Sequence, residues 1–230
     1  VKEHPNRVTR IDVQTLSASA IFAALSAILT FLPTLNFVFL PYLQFQIAEL
    51  PIMIGALIYG PIAGVISAFA YWLILNFVGT FQPLGPLMAF LAVMGLIIGA
   101  WIGINMAKKI GLKSSGIFGI GLILTFGALI RIILMSVLNY VIIWILMPSF
   151  FILAVKSLGA TLGLQFQSNV DALIVIMVFT AVFNIIQTLL SVIPSYSIVK
   201  IIFYKRNLFK KRTPWMSSST DNSNGTRSNS

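Results

Sequence analysis

The 230-residue chain is 58% hydrophobic and 9% charged, with a mean hydropathy of +0.98, whereas a soluble domain carries about 25% charge; it reads as an integral membrane protein. Its net charge of +10 sits at the chain ends and in one mid-chain loop, a pattern that orients a protein in a bilayer rather than one that grips nucleic acid. With no cysteine and one histidine, His4 in the polar N-terminal stretch, thiol nucleophiles, disulfides, thiolate or imidazole metal sites and a Ser–His dyad are excluded.

Residues 1–12 are polar and basic and are expected to be a cytoplasmic segment. The apolar stretch that follows, Val13 to Leu32, has no small-residue cleavage site after a short core, so it reads as a retained helix rather than a signal peptide. A hydrocarbon core of ~30 Å needs about 20 apolar residues, and six segments meet that ruler: about 13–32, 48–60 (short), 62–78, 84–107, a stretch within 116–147, and 170–203. Prolines 33, 41, 61, 83, 148 and 194 fall mostly at or near their edges, where a missing N–H is tolerated. The fold class expected is an all-α six-transmembrane-helix bundle over 13–204, followed by a basic and then disordered tail over 205–230.

Lysines and arginines orient those spans. Lys2, Arg7 and Arg10 precede the first, Lys108, Lys109 and Lys113 lie between the fourth and fifth, and a basic run from Lys200 to Arg212 follows the sixth. The opposite loops, roughly 33–47, 79–83 and 148–169, hold only Lys156. The positive-inside rule then places both termini in the cytoplasm of a multi-pass protein of the cell membrane. The Lys205–Arg212 run can also touch anionic headgroups, or it is ordinary positive-inside bias.

On the first span Ala20/Ala24 and Ala23/Ala27 are i,i+4 pairs, giving a smooth face for close helix approach. Gly95, Gly99 and Gly103 repeat the device on the fourth, where packing within the bundle is the preferred reading. Between the first two spans Gln44 and Gln46 alternate with Leu43, Phe45 and Ile47, which predicts a short extended segment. Glu49, with Asp12 and Asp171, is one of three acids at the ends of the apolar spans; it marks function by its expense, or caps the short helix, and one carboxylate can do both.

From Phe45 to Val65 the sequence resembles the S components of energy-coupling factor (ECF) transporters, membrane subunits that bind vitamins, and is most similar to their riboflavin-specific branch. That branch reads L-D-F-S-E-I-P…G-A-L-L-F-G-P-L-A-G-V, and Glu49, Pro51, Gly55, Gly60, Pro61 and Gly64 are in register with it. RIILMSVLNY (Arg131–Tyr140), Phe183-Asn184-Ile185-Ile186 and Gly85-Pro86-Leu87-Met88 are further matches, so the resemblance spans roughly 13–203. Departures fall on polar positions: Gln46 stands for the branch's Asp, Tyr71-Trp72 for Lys-Asn, Ala89 for Asn and Gln187 for Lys. These change which ligand atoms can be satisfied.

A vitamin site is largely apolar with a few convergent polar groups. The candidates are Gln44, Gln46 and Glu49 from the first outer loop, Tyr71, Trp72 and Asn76 in the outer half of the third span, Asn139 and Tyr140 on the fifth, and Asn184 and Gln187 on the sixth. Aromatic faces suit a planar ring, although Tyr71 and Trp72 equally fit an interfacial aromatic belt; for Asn139 and Asn184 ligand contact is preferred slightly over interhelical hydrogen bonds. Arg131 lies 16 residues before Met147, ~24 Å from the outer end of a straight helix. With Glu49 near the outer surface, Arg131 is expected to snorkel to the inner headgroups, helped by a helix breakable at Gly116, Gly119, Gly121 and Gly127.

The resemblance implies a binding subunit with riboflavin as transported ligand and no cofactor, metal or catalytic residue. It also implies a membrane coupling subunit, docked on the face of Ala20, Ala23, Ala24 and Ala27, and two ATP-hydrolysing subunits. No G-x-x-x-x-G-K-[ST] occurs in the chain itself. The alternatives are an S component for another vitamin-like heterocycle and an autonomous secondary carrier. An intramembrane enzyme is disfavoured because its carboxylates are isolated.

Overall fold

Local punctuation explains most element ends in the computed structural model, which describes residues 12–205 and 214–217. Helix α1 (Val13–Leu29) is followed by strands β1 (Leu35–Phe37) and β2 (Leu40–Phe45), then α2 (Glu49–Tyr59), α3 (Pro61–Val78), α4 (Leu84–Lys109) and α5 (Ile117–Tyr140). Helix α5 runs on as a π turn over Val141–Leu146; α6 (Pro148–Leu162) and α7 (Asn169–Lys200) follow, and α7 also runs on as a π turn over Ile201–Lys205. Gly60, at φ 101° and ψ 171°, separates α2 from α3. Only glycine adopts that backbone freely, and Pro61 then occupies the first turn of α3, where its lost N–H has no partner to lose.

Four of these helices are long and apolar enough to cross a membrane: Pro61–Val78, Leu84–Lys109, Ile117–Leu146 and Asn169–Phe203. Helices α1, α2 and α6, at 17, 11 and 15 residues, are shorter. The 148–169 segment, expected as an outer loop, contains α6. Proline at its start, apolar residues at Phe151, Ala154, Val155 and Leu158, and a left-handed Gly163 (φ 67°) at its end make it a helix rather than a loop.

Helix α2 is buried nearly all round, through Glu49, Pro51, Ile52, Met53, Gly55, Ala56, Leu57 and Ile58, as a helix packed between others must be. It packs on α1, α3 and α7. Helices α4 and α5 form the closest pair: a Cβ on Gly99 would stand 2.4 Å from the Phe126 carbonyl oxygen, and one on Gly103 would stand 2.6 Å from that of Leu122. The α4 glycines thus pack within the bundle, and α5 is unbroken from Ile117 to Tyr140, contrary to the break expected near its own glycines.

The face of α1 divides. Ala20 and Ala24 are exposed, whereas Ala23 is buried and Ala27 partly so. Ser19 and Ser67 tie α1 to α3 through the Ala63 and Ser19 carbonyls at 3.2 and 3.1 Å. Ala23 therefore packs within the bundle.

The β1–β2 hairpin pairs Leu35 with Phe45 and Asn36 with Gln44. It seats Phe37 and Leu40 in an apolar cluster with Ile143, Leu158, Ile176 and Phe183. Of the expected terminal segments, 1–11, 206–213 and 218–230 lie outside the described residues. Trp215–Ser217 is a short 3-10 turn with Met216 wholly buried in the main core, so this part of the expected tail belongs to the bundle.

Candidate ligand-binding site

The hairpin does more than connect α1 to α2: its second strand and the residues after it run alongside α7 and roof a cavity of about 540 Å³. The walls come from the end of α1 (Leu29, Thr30), from Tyr42–Glu49, from α3 (Tyr71, Leu75, Val78) and from the 79–86 segment. The start of α4 (Met88, Ala89, Ala92), α5 (Arg131, Met135, Asn139), Ile142, Ile143, Phe150 and, on α7, Phe183 and Asn184 complete them. The volume lies within the ~300–1,000 Å³ usual for small-molecule sites, and the mixture of apolar walls with a few polar groups has the same character.

One polar network runs along the cavity wall. Arg131 donates from its two terminal nitrogens to Glu49 Oε2 and Oε1 at 2.7 and 2.8 Å, and from Nε to Asn184 Oδ1 at 3.1 Å. Ser191 Oγ donates to Glu49 Oε2 at 2.6 Å, and Asn184 Nδ2 to the Thr180 carbonyl at 2.8 Å. Gln187 Nε2 donates to the Gln46 carbonyl at 2.8 Å and Gln187 Oε1 accepts from the Gln46 N–H at 3.3 Å, stitching the loop to α7. Glu49 and Arg131 are 3% and 2% exposed. Charges that deep persist only when paired and further hydrogen-bonded, and the planar two-point contact supplies both conditions.

This pair overturns the expectation that Arg131 snorkels to the headgroups and stays apart from Glu49. The mistaken premise was depth. Glu49 does not sit at the outer surface, because the hairpin carries the chain back into the bundle before α2 begins, and Glu49 lies level with Ser191, 22 residues into α7. The signal that could have found the pair is composition: Arg131 is the one arginine within the spans, and an intramembrane base asks for a named acid.

Of the residues singled out from the sequence, Gln44, Gln46, Glu49, Tyr71, Asn139 and Asn184 line the cavity. Tyr71 also shares a hydrogen bond with Thr30 at 2.8 Å, and Asn139 donates to the Met135 carbonyl at 2.8 Å. Four others lie elsewhere. Trp72, one residue on from Tyr71, turns about 100° away on the helix and packs against Phe69 and Phe90 with ring centres 5.6 and 5.7 Å apart. Asn76 folds back on the Trp72 carbonyl at 2.8 Å. Tyr140 is 42% exposed on the outer face of α5, and Gln187 stands behind the wall, holding Gln46. Thr30, Tyr42, Met135 and Phe183 are lining residues that sequence reasoning missed, since nothing local distinguishes them from ordinary apolar-span residues. Among the described residues no cluster of acids or histidines is arranged to hold a metal.

The model of the ECF transporter substrate-specific component family matches residues 14–203. The chain belongs to that family. A solved structure described as "Structure and mechanism of the S component of a bacterial ECF transporter" shares the fold of this S component. It has a TM-score of 0.59 and 23% sequence identity, over 86% of this chain and 98% of that one. No curated protein sequence matches. The S component is thus a multi-pass, substrate-binding membrane subunit of a transporter, and its cavity lies inside the matched region.

Proposed function

We propose that this S component captures riboflavin at the outer side of the cell membrane and passes it inward with a membrane coupling subunit and two ATP-hydrolysing subunits. The observation that carries this reading is the apolar cavity of about 540 Å³, into which Gln44, Gln46, Tyr71, Asn139 and Asn184 bring neutral hydrogen-bonding groups. Amides and a phenol both donate and accept, which suits a planar ring bearing carbonyls and an N–H between apolar walls. The similarity of Phe45–Val65, Arg131–Tyr140 and Phe183–Ile186 to the riboflavin branch favours the same ligand.

In this reading α1, α2, α3, α4, α5 and α7 make six passes, with α6 lying across the outer end and both termini cytoplasmic. Lys108, Lys109, Lys113 and Lys200 then share the inner side. The exposed Ala20 and Ala24 of α1 provide the close-approach face for the coupling subunit.

A second reading, another vitamin-like heterocycle, is favoured by the polar departures at Gln46, Tyr71-Trp72, Ala89 and Gln187. Titration of the detergent-purified protein with riboflavin separates the two. Stoichiometric quenching of flavin fluorescence is the expected result, and unchanged fluorescence removes riboflavin while leaving the S component. Uptake that requires a coexpressed ATPase is expected; uptake by the chain alone, driven by an ion gradient, would make it a secondary carrier.

A further inference from the structure

Every residue lining the cavity is neutral at pH 7 except Glu49 and Arg131, so the formal charge of the lining is zero. The two charges also pair with each other. Both carboxylate oxygens of Glu49 accept from Arg131, one of them also from Ser191, and the guanidinium's Nε is held by Asn184. We propose that this self-cancelled pair is a charge filter: the site takes uncharged heterocycles and rejects phosphorylated, carboxylate-bearing and cationic ones, riboflavin 5′-phosphate among them. The inference rests on the reading of this cavity as the ligand site, and it concerns ligand charge, not ring identity.

The physical reason is that each charge in the lining already has its counter-charge, so an ionised ligand finds no uncancelled opposite charge here. An anion that takes Arg131 from Glu49 leaves a carboxylate at 3% exposure with Ser191 as its remaining donor, and one that leaves Glu49 in place meets a guanidinium whose charge is already cancelled. A cation meets the converse problem, stranding the guanidinium. A buried charge without its counter-charge is costly enough to disfavour either exchange. Uncharged ligands leave the pair intact and use the neutral groups of Asn139, Gln44 and Tyr71. Discrimination then comes from what the site refuses, as specificity often does.

The test uses the full chain purified in mild detergent. Dissociation constants are measured by flavin fluorescence for riboflavin, for riboflavin 5′-phosphate, and for riboflavin 5′-acetate as an uncharged control of added bulk. Thermal stabilisation is measured with thiamine, biotin and pyridoxine. The expected result is that the phosphate binds at least about 100-fold more weakly than riboflavin while the acetate stays within about tenfold, and that neither thiamine nor biotin stabilises the protein. Binding of pyridoxine without riboflavin would sink the riboflavin reading and still support the filter. The phosphate binding within tenfold of riboflavin, or stabilisation by thiamine or biotin above every neutral compound, overturns it. So does an ionised small molecule extracted from the freshly purified protein and identified by mass.

Glu49→Gln, which leaves Arg131 uncompensated, is expected to narrow the riboflavin-to-phosphate ratio at least tenfold, and Glu49→Gln with Arg131→Met to restore it. An unchanged ratio in a folded Glu49→Gln variant removes the pair as the cause. If that variant does not fold, the wild-type charge series still decides.

Discussion

Arg131 of α5 and Glu49 of α2, 82 residues apart in sequence, meet in a planar two-point ion pair at 2.7 and 2.8 Å in the interior of the bundle. The contact joins the helix that follows the hairpin to the helix at the far wall of the cavity, and Ser191 and Asn184 extend it to α7. Removing one partner leaves the other buried and unpaired, a loss of about 3–5 kcal/mol. Arg131→Met alone is therefore expected to lower the thermal midpoint in detergent sharply. Arg131→Met with Glu49→Gln is expected to recover much of the loss. A single variant as stable as the parent would contradict the pairing.

Gln187 holds the loop that carries Gln46 against α7. Gln187→Leu deletes two hydrogen bonds to the Gln46 backbone, worth about 1 kcal/mol each. Ligand affinity is expected to fall about tenfold, with the change in the dissociation rate. Stopped-flow fluorescence distinguishes this from Asn184→Leu, in which a cavity-lining group is itself removed.

Asn139 and its neighbour Tyr140 offer a paired test of the cavity. Asn139→Leu replaces an amide of the cavity wall by an apolar group and, on the proposed reading of the cavity, is expected to weaken binding about tenfold or more by leaving a ligand polar group unpaired. Tyr140→Leu, on the outer face, is expected to change affinity less than twofold. Titrations of both variants under one condition check the contrast.

Gly99 and Gly121 separate packing from helix propensity. A methyl at Gly99 collides with backbone at 2.4–2.5 Å, at the Phe126 oxygen and Gly127 Cα, which a rotamer change cannot relieve. Gly99→Ala is thus expected to destabilise by about 1–3 kcal/mol. Gly121 on α5 has nothing within 4 Å of the added carbon, and Gly121→Ala is expected to be neutral or to stabilise by up to about 1 kcal/mol. Thermal unfolding of the two variants in one detergent reads the difference.

The C-terminal turn is part of the structure. Met216 is wholly buried, its carbonyl accepts from Ser114 Oγ at 2.6 Å, and the Trp215 ring lies 3.3 Å from where a Gly60 Cβ would stand. Met216→Ala is expected to cost about 2–5 kcal/mol, as other core methionine truncations do. A chain ending at residue 213 is expected to show the same loss in thermal unfolding, and an unchanged midpoint would mean the turn contributes nothing.

Much of the fold was legible because its causes are local. The Gly60-Pro61 break, the alternation that makes β2 and the glycines of α4 each act through neighbours in sequence or on one helix face. Helix α6 was missed for a different reason: its 15 residues form a good helix, yet a ruler set by bilayer thickness counts only spans. Trp72 and Tyr71 show the same limit at the scale of one residue. They are adjacent, both aromatic and about 100° apart around the helix, and only the packing against Phe90 puts one ring outside the cavity and leaves the other in its wall.

The sequence by itself determined that this is a membrane protein, where most of its apolar helices begin and end, and which family it resembles, because hydropathy and helix breakers act within one segment at a time. The tertiary structure alone decided that Glu49 and Arg131 cancel each other beside the cavity. That contact depends on how deep the β1–β2 hairpin carries the chain before α2 starts, and depth is set by the hairpin's packing on α6 and α7, which no local stretch of sequence encodes.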